Sequence, residues 1–105
     1  MPTTYLTRRW GSSSDDPSEE EMREAVAELA ISDPEHPDCW LSDQENWGIS
    51  IGESAIAVLE NAETLEGPWH LQLQSREEIL PLWMLMQAGD WDSIRAKPWL
   101  EGYSS

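Results

Sequence analysis

The chain has no phenylalanine, a single cysteine (Cys39), and six lysine or arginine residues against 21 aspartate or glutamate residues. One cysteine excludes an intramolecular disulfide, so the expectation is a protein of a reducing compartment, the cytoplasm. Two histidines and one cysteine cannot assemble a standard structural zinc set. No stretch approaches the ~18 apolar residues of a membrane span, and no apolar segment follows Arg8 and Arg9 as a secretory leader would require. Glycine-rich phosphate cradles are missing. A formal charge of −15 repels nucleic acid and anionic membranes, so neither is expected as a direct partner. No metal and no cofactor are expected.

What is present is the composition of a folded protein. A length of 105 residues suits one domain, 1–105, and 39% of them are hydrophobic. Trp10, Trp40, Trp47, Trp69, Trp83, Trp91 and Trp99 spread a core-forming payload over the whole chain, which disordered acidic sequences lack.

Patterning predicts the elements. Tyr5 to Trp10 reads as a strand and 12–16 as a polar loop. Asp16-Pro17-Ser18-Glu19 or the overlapping Ser18 to Glu21 box opens a helix, whose apolar stripe is Met22, Ala25, Val26 and Leu29. Prolines at 34 and 37 make 31–38 a connection. From there the period is two. Cys39–Asp43, Trp47–Gly52, Ala55–Asn61 and Trp69–Gln74 read as strands with short links, and Gly48, Ser50 and Gly52 leave one face of the second nearly bare. A box at Ser75 to Glu78 opens a second helix to about Ala88, with Gly89 as its stop. Pro81 either kinks that helix or marks a later start. Asp90 caps a last short turn, and 104–105 is a tail. The expected fold class is α+β, an antiparallel β-meander packed with an N-terminal helix and a C-terminal helix.

Catalytic patterns are weak in this context. Gly48-Ile49-Ser50-Ile51-Gly52 matches a serine-hydrolase elbow, yet strand alternation runs through the serine where a turn and a helix are needed. His36, Asp38 and Cys39 offer metal-ligand types without a fourth partner. His70 is expected on the wet or partner face of a sheet. A carboxylate pair such as Glu53 and Glu60 would need a defined separation to act as a glycosidase does, so the chain is not expected to be an enzyme.

Charge distribution is more informative. Between Arg23 and Arg76 there is no lysine or arginine, while Glu24, Glu28, Asp33, Glu35, Asp38, Asp43, Glu45, Glu53, Glu60, Glu63 and Glu66 fall there. Self-repulsion among them would be relieved by a cationic partner, although a solvated acidic surface kept for solubility has the same composition. In a meander the connections Asp43 to Trp47 and Ala62 to Pro68 share one end. The expected partner-binding set is therefore Asp43, Glu45, Glu63 and Glu66 with Trp47 as aromatic anchor, and Glu53 and Glu60 as outlying members.

The segments Trp40-Leu41-Ser42-Asp43, Trp47-Gly48-Ile49-Ser50-Ile51, Val58-Leu59-Glu60-Asn61, Gly67-Pro68-Trp69-His70, Ser75-Arg76-Glu77-Glu78 and Leu82-Trp83, with Gly89-Asp90 and Pro98-Trp99, carry a resemblance. Over roughly residues 38 to 103 the chain resembles the small immunity proteins encoded beside bacterial polymorphic toxins. The resemblance implies a compact α+β inhibitor that binds a cognate toxin domain, often a nuclease or nucleic-acid deaminase, through a surface that differs from family to family. When free it would be a monomer or a weak homodimer. The alternatives are an acidic DNA mimic or antitoxin-like inhibitor of a nucleic-acid-binding protein, and a small hydrolase using Ser50 and His70.

Overall fold

The computed structural model describes residues 3–103; the expected tail at 104–105 lies outside them. Seven strands form one antiparallel sheet: β1 (Thr4–Thr7), β2 (Ser13–Asp15), β3 (Asp38–Asp43), β4 (Trp47–Gly52), β5 (Ile56–Asn61), β6 (Trp69–Gln72) and β7 (Leu100–Glu101). Their order is β2-β1-β3-β4-β5-β6-β7. Three helices, α1 (Glu19–Ala27), α2 (Ile79–Ala88) and α3 (Trp91–Arg95), complete the α+β fold, and β3 to β6 are the expected meander.

Period-two alternation decides which face the helices cover. Leu6, Leu41, Ile49 and Leu59 stand in one row of paired residues, Cys39, Ile51 and Ala57 in the next, and all are buried. Met22, Ala25, Val26 and Leu29 on one side, with Ile79, Leu80, Leu82, Trp83 and Met86 on the other, close this core. Trp83 sits at its centre, fully buried, and its indole N–H donates to the Ile49 carbonyl at 2.9 Å. That bond satisfies the ring's one polar group.

Several local expectations are corrected. The polar run expected as a loop at 12–16 contains β2, because Thr7 pairs with Ser13 and Tyr5 with Asp15 in a hairpin that narrows β1 to Thr4–Thr7. Of the two overlapping boxes, Ser18 and Glu21 form the cap: Glu21 N–H donates to Ser18 Oγ at 3.1 Å and Ser18 N–H to Glu21 Oε1 at 3.0 Å. Asp16 instead takes the N–H groups of Thr3 and Thr4 at 2.9 and 3.0 Å, holding the hairpin. Ser75 makes no side-chain cap. A 3-10 turn, Arg76–Glu78, precedes α2, so Pro81 is the third residue of the regular helix, where its missing N–H removes no intrahelical bond. Gly89 ends α2 in the left-handed region, φ 73°. His70, expected on the wet or partner face, does stand in register with Val58 on the face opposite Ala57 and Leu59, yet it is buried, because β7 pairs alongside β6 and Gly102 supplies a carbonyl 3.0 Å from His70 Nδ1.

Candidate functional site

The sheet has a second face that none of the described helices covers. Pairing registers place Tyr5, Thr7, Trp40, Ser42, Gly48, Ser50, Val58 and Glu60 on it, with Asp38 and Gly52 at one end. Along β4 the side chains are hydrogen, hydroxymethyl and hydrogen, so the bare face expected from sequence is here an open furrow. A groove of about 600 Å³ follows it, floored by Gly48 and Ser50 and walled by Trp40 on β3 and Val58, Glu60 and Tyr103 on the other side. A neighbouring depression shares Asp38, Ser50, Val58 and Tyr103 and extends the furrow past Gly52.

Trp40 is 39% exposed, Tyr103 62% and Leu65 79%, an unusual gathering of apolar surface around an uncovered floor. The Tyr103 hydroxyl donates to Glu60 Oε2 at 2.9 Å, which fixes the tyrosine against β5. Asp38, Glu60 and Glu66 line the groove, and no lysine or arginine does among the described residues. Burial pushes the Asp38 carboxyl above its ordinary value, and the Glu60 charge pushes it further the same way. A nearby cation would reverse that shift.

The arginines of the chain are engaged elsewhere. Arg8 pairs with Glu28 at 2.8 Å, Arg23 with Glu19 at 2.8 Å, and Arg9 with Glu53. Arg76 donates to the carbonyls of Leu29 and Glu53 at 2.9 and 3.3 Å. Arg95 lies over the Trp91 ring at 5.8 Å, beside a second, tryptophan-lined depression.

The structure separates the partner-binding residues expected from sequence into four groups. The connections at Asp43 to Trp47 and Ala62 to Pro68 do meet: Ala62 N–H donates to the Asn46 carbonyl at 2.9 Å, Asn46 Nδ2 to Glu63 Oε2 at 2.9 Å, and Asn61 Nδ2 to the Glu45 carbonyl at 3.0 Å. Glu45, Glu63 and Glu66 are exposed on this rim, while Asp43 is turned inward, accepting the N–H groups of Glu45 and Trp47 at 3.0 Å each. Gly67 shapes the rim. Its φ is 89°, and a Cβ there would lie 2.8 Å from the Leu59 carbonyl oxygen.

Trp47 is not a projecting anchor. It shares the helix-side face with Ile49 and Ile51, its ring centroid 6.4 Å from that of Trp69 and 5.6 Å from that of Trp91. The exposed tryptophan of the meander is Trp40, and the alternation of buried Cys39 and Leu41 around it was the signal that could have found it. Glu60 belongs to the groove itself. Glu53 lies at the opposite end, its carboxylate taken by Arg9 and by the Asp33 N–H at 2.8 Å.

Those two contacts make a pH prediction. The Asp33 N–H first, then Arg9, hold the Glu53 carboxyl below its ordinary value of 4.5. The folded state then binds fewer protons than the unfolded one, so this contribution is present above about pH 4.5 and is lost as pH falls through the lower folded value. Denaturant unfolding of Glu53→Gln across that window should give reduced stability at neutral pH and a shallower acid decline than wild type. An unchanged acid decline would contradict the assignment.

Other chemistry finds little support in the geometry. Ser50 lies mid-strand, with β5 between it and His70. The Cys39 thiol is buried and pushed up to about 12, unsuited to a nucleophile or a ligand at neutral pH. His36 pairs with Asp33 at 3.2 Å, and among the described residues no group of three or more histidine, cysteine or acidic side chains could hold a metal ion. No described helix is long and apolar enough to cross a membrane. Compared with protein-family models, curated proteins and solved structures, the chain finds no match.

Proposed function

We propose that this chain is an immunity-type inhibitor that acts in the cytoplasm of the cell that makes it, binding a cognate toxin domain and covering a basic active-site cleft. The observation that carries the reading is the uncovered sheet face: carboxylates of Asp15, Asp38 and Glu60 on its strands, Glu66 at its rim, and exposed aromatic surface between them without a compensating cation. A surface of that kind is costly to leave in water and gains most from a partner that supplies both apolar contact and positive charge. A toxin that cleaves or deaminates nucleic acid has a basic cleft, and carboxylates standing where phosphates would lie block it competitively.

The test is protection. The gene's neighbourhood is inspected for a large secreted protein ending in a toxin domain, and that C-terminal domain is expressed alone and together with this chain. Toxicity of the domain alone, relieved by co-expression and accompanied by a stable complex of the two purified proteins, is the expected result. A domain that remains fully toxic, or one that is harmless by itself, would remove the reading.

A further inference from the structure

The furrow on the uncovered face has a floor, two walls and two charged ends, and these define an occupant more closely than charge alone. We infer that it seats an arginine side chain projected by an extended segment of the partner protein, with the guanidinium lying between Trp40 and the carboxylates of Asp38 and Glu60. The inference rests on the proposed inhibitor reading and names the partner chemistry of the same site.

Geometry sets the orientation. Trp40 and Ser50 face each other across β3 and β4, and Ser50 faces Val58 across β4 and β5, so the indole stands beside a strip with almost no side-chain volume. A flat cation entering over Ser50 meets the Trp40 face on one side and Val58 on the other. Asp38 and Glu60 lie on β3 and β5 toward opposite ends of the strip, paired with Gly52 and Gly48 respectively. Arginine fits this better than lysine because its planar, weakly hydrated fork can stack on an indole while donating in two directions, which a compact ammonium cannot. The chain fills the furrow with no cation of its own, since the arginines on the sheet's other side and edge are already paired.

Gly48 supplies a test that leaves charge untouched. A Cβ built there meets nothing closer than the Leu41 and Glu60 carbonyl oxygens at 3.9 and 4.0 Å, so a side chain can be added without straining the fold. Gly48→Val should keep a thermal midpoint at or above wild type, because a β-branched residue suits a strand interior better than glycine. It fills the furrow floor all the same.

The probe is the acetylated, amidated peptide Gly-Arg-Gly-Arg-Gly, compared with its lysine counterpart by NMR titration. The expected result is shifts centred on the Trp40 indole N–H and the amides of Asp38, Ser50 and Glu60, stronger for arginine than for lysine, with affinity for the arginine peptide falling about tenfold in Gly48→Val. Should that variant fail to fold, Trp40→Leu keeps an apolar wall and is expected to lose the preference for arginine. Equal binding of both peptides, shifts spread over the acidic surface of α1, or an unchanged affinity in the folded Gly48→Val protein would overturn the inference. Failure of the inhibitor reading is read separately: peptide seated in the furrow with no protection from the neighbouring toxin domain leaves the seat standing and removes the toxin, whereas protection without seating does the reverse.

Discussion

Replacing Arg9 with methionine is expected to lower the thermal midpoint by about 15 °C or more, since breaking a buried, fully bonded charge typically costs ~3 to 5 kcal/mol and each kcal/mol shifts a domain of this size by roughly 4 to 8 °C. The Arg9 side chain is 0% exposed. It donates to the carbonyls of Glu28 and Ile31 at 2.7 Å, His36 at 2.8 Å and Asp33 at 3.2 Å, and to the Glu53 carboxylate. These acceptors come from the end of the first helical segment, from the proline-rich connection and from the turn after β4. One guanidinium therefore ties three chain segments to β1. Methionine fills the volume but leaves four carbonyls and a carboxylate without their donor. Lysine should fare little better, because its donors radiate from one atom and cannot reach acceptors on several sides. Arg8→Met is the control: Arg8 pairs at a partly exposed site with Glu28, and its loss should cost about 1 kcal/mol or less. A midpoint for Arg9→Met close to that of Arg8→Met, measured by calorimetry, would contradict this account of what holds the connection in place.

That arginine also marks where sequence reasoning runs out. Beside Arg8 it reads as one of two ordinary basic residues, and nothing local distinguishes the buried one. Its acceptors lie between 19 and 44 residues away and converge only once α1 packs on the sheet. Periodic elements were legible because their patterns are local. The stripe of α1, the alternation of β3 to β6 and the caps at Ser18 and Asp90 each lie within a few residues of the groups they satisfy. β7 was missed because two residues carry no period, and with it went the burial of His70. The start of α2 was ambiguous for a comparable reason: a capping pattern at Ser75 competed with Pro81, and the proline's missing donor decided.

The candidate site was half legible. That Gly48, Ser50 and Gly52 make a bare face, and that two acidic connections share an end, follow from period and topology. Which side of the sheet the helices cover does not follow from the bare face alone. Assigning Trp47 as the anchor required it to project, yet its alternation with Ile49 and Ile51 commits it to the helix side. Trp40 is the tryptophan of the meander that is exposed. Glu53, expected at the end away from the rim, does lie there, with its carboxylate engaged by Arg9 and the Asp33 N–H.

Two charge-matched double substitutions address the central claim that the uncovered sheet face is the binding surface. Glu60→Lys with Glu66→Lys reverses two carboxylates of the groove, and Glu20→Lys with Glu77→Lys reverses two exposed carboxylates outside it. Both pairs change net charge equally, so long-range steering is altered to a similar degree, whereas only the first pair places positive charge against a basic cleft at contact distance. Reversal at contact is expected to weaken binding on the order of a hundredfold, mostly through faster dissociation. Loss of steering alone should slow association by a few-fold and fade as salt is raised. The measurement is the association and dissociation rate of each variant with the proposed toxin domain across a salt series. The account predicts a large dissociation effect confined to Glu60 and Glu66; equal effects of the two pairs, or a larger one from Glu20 and Glu77, would contradict it and place the binding surface on the helix side.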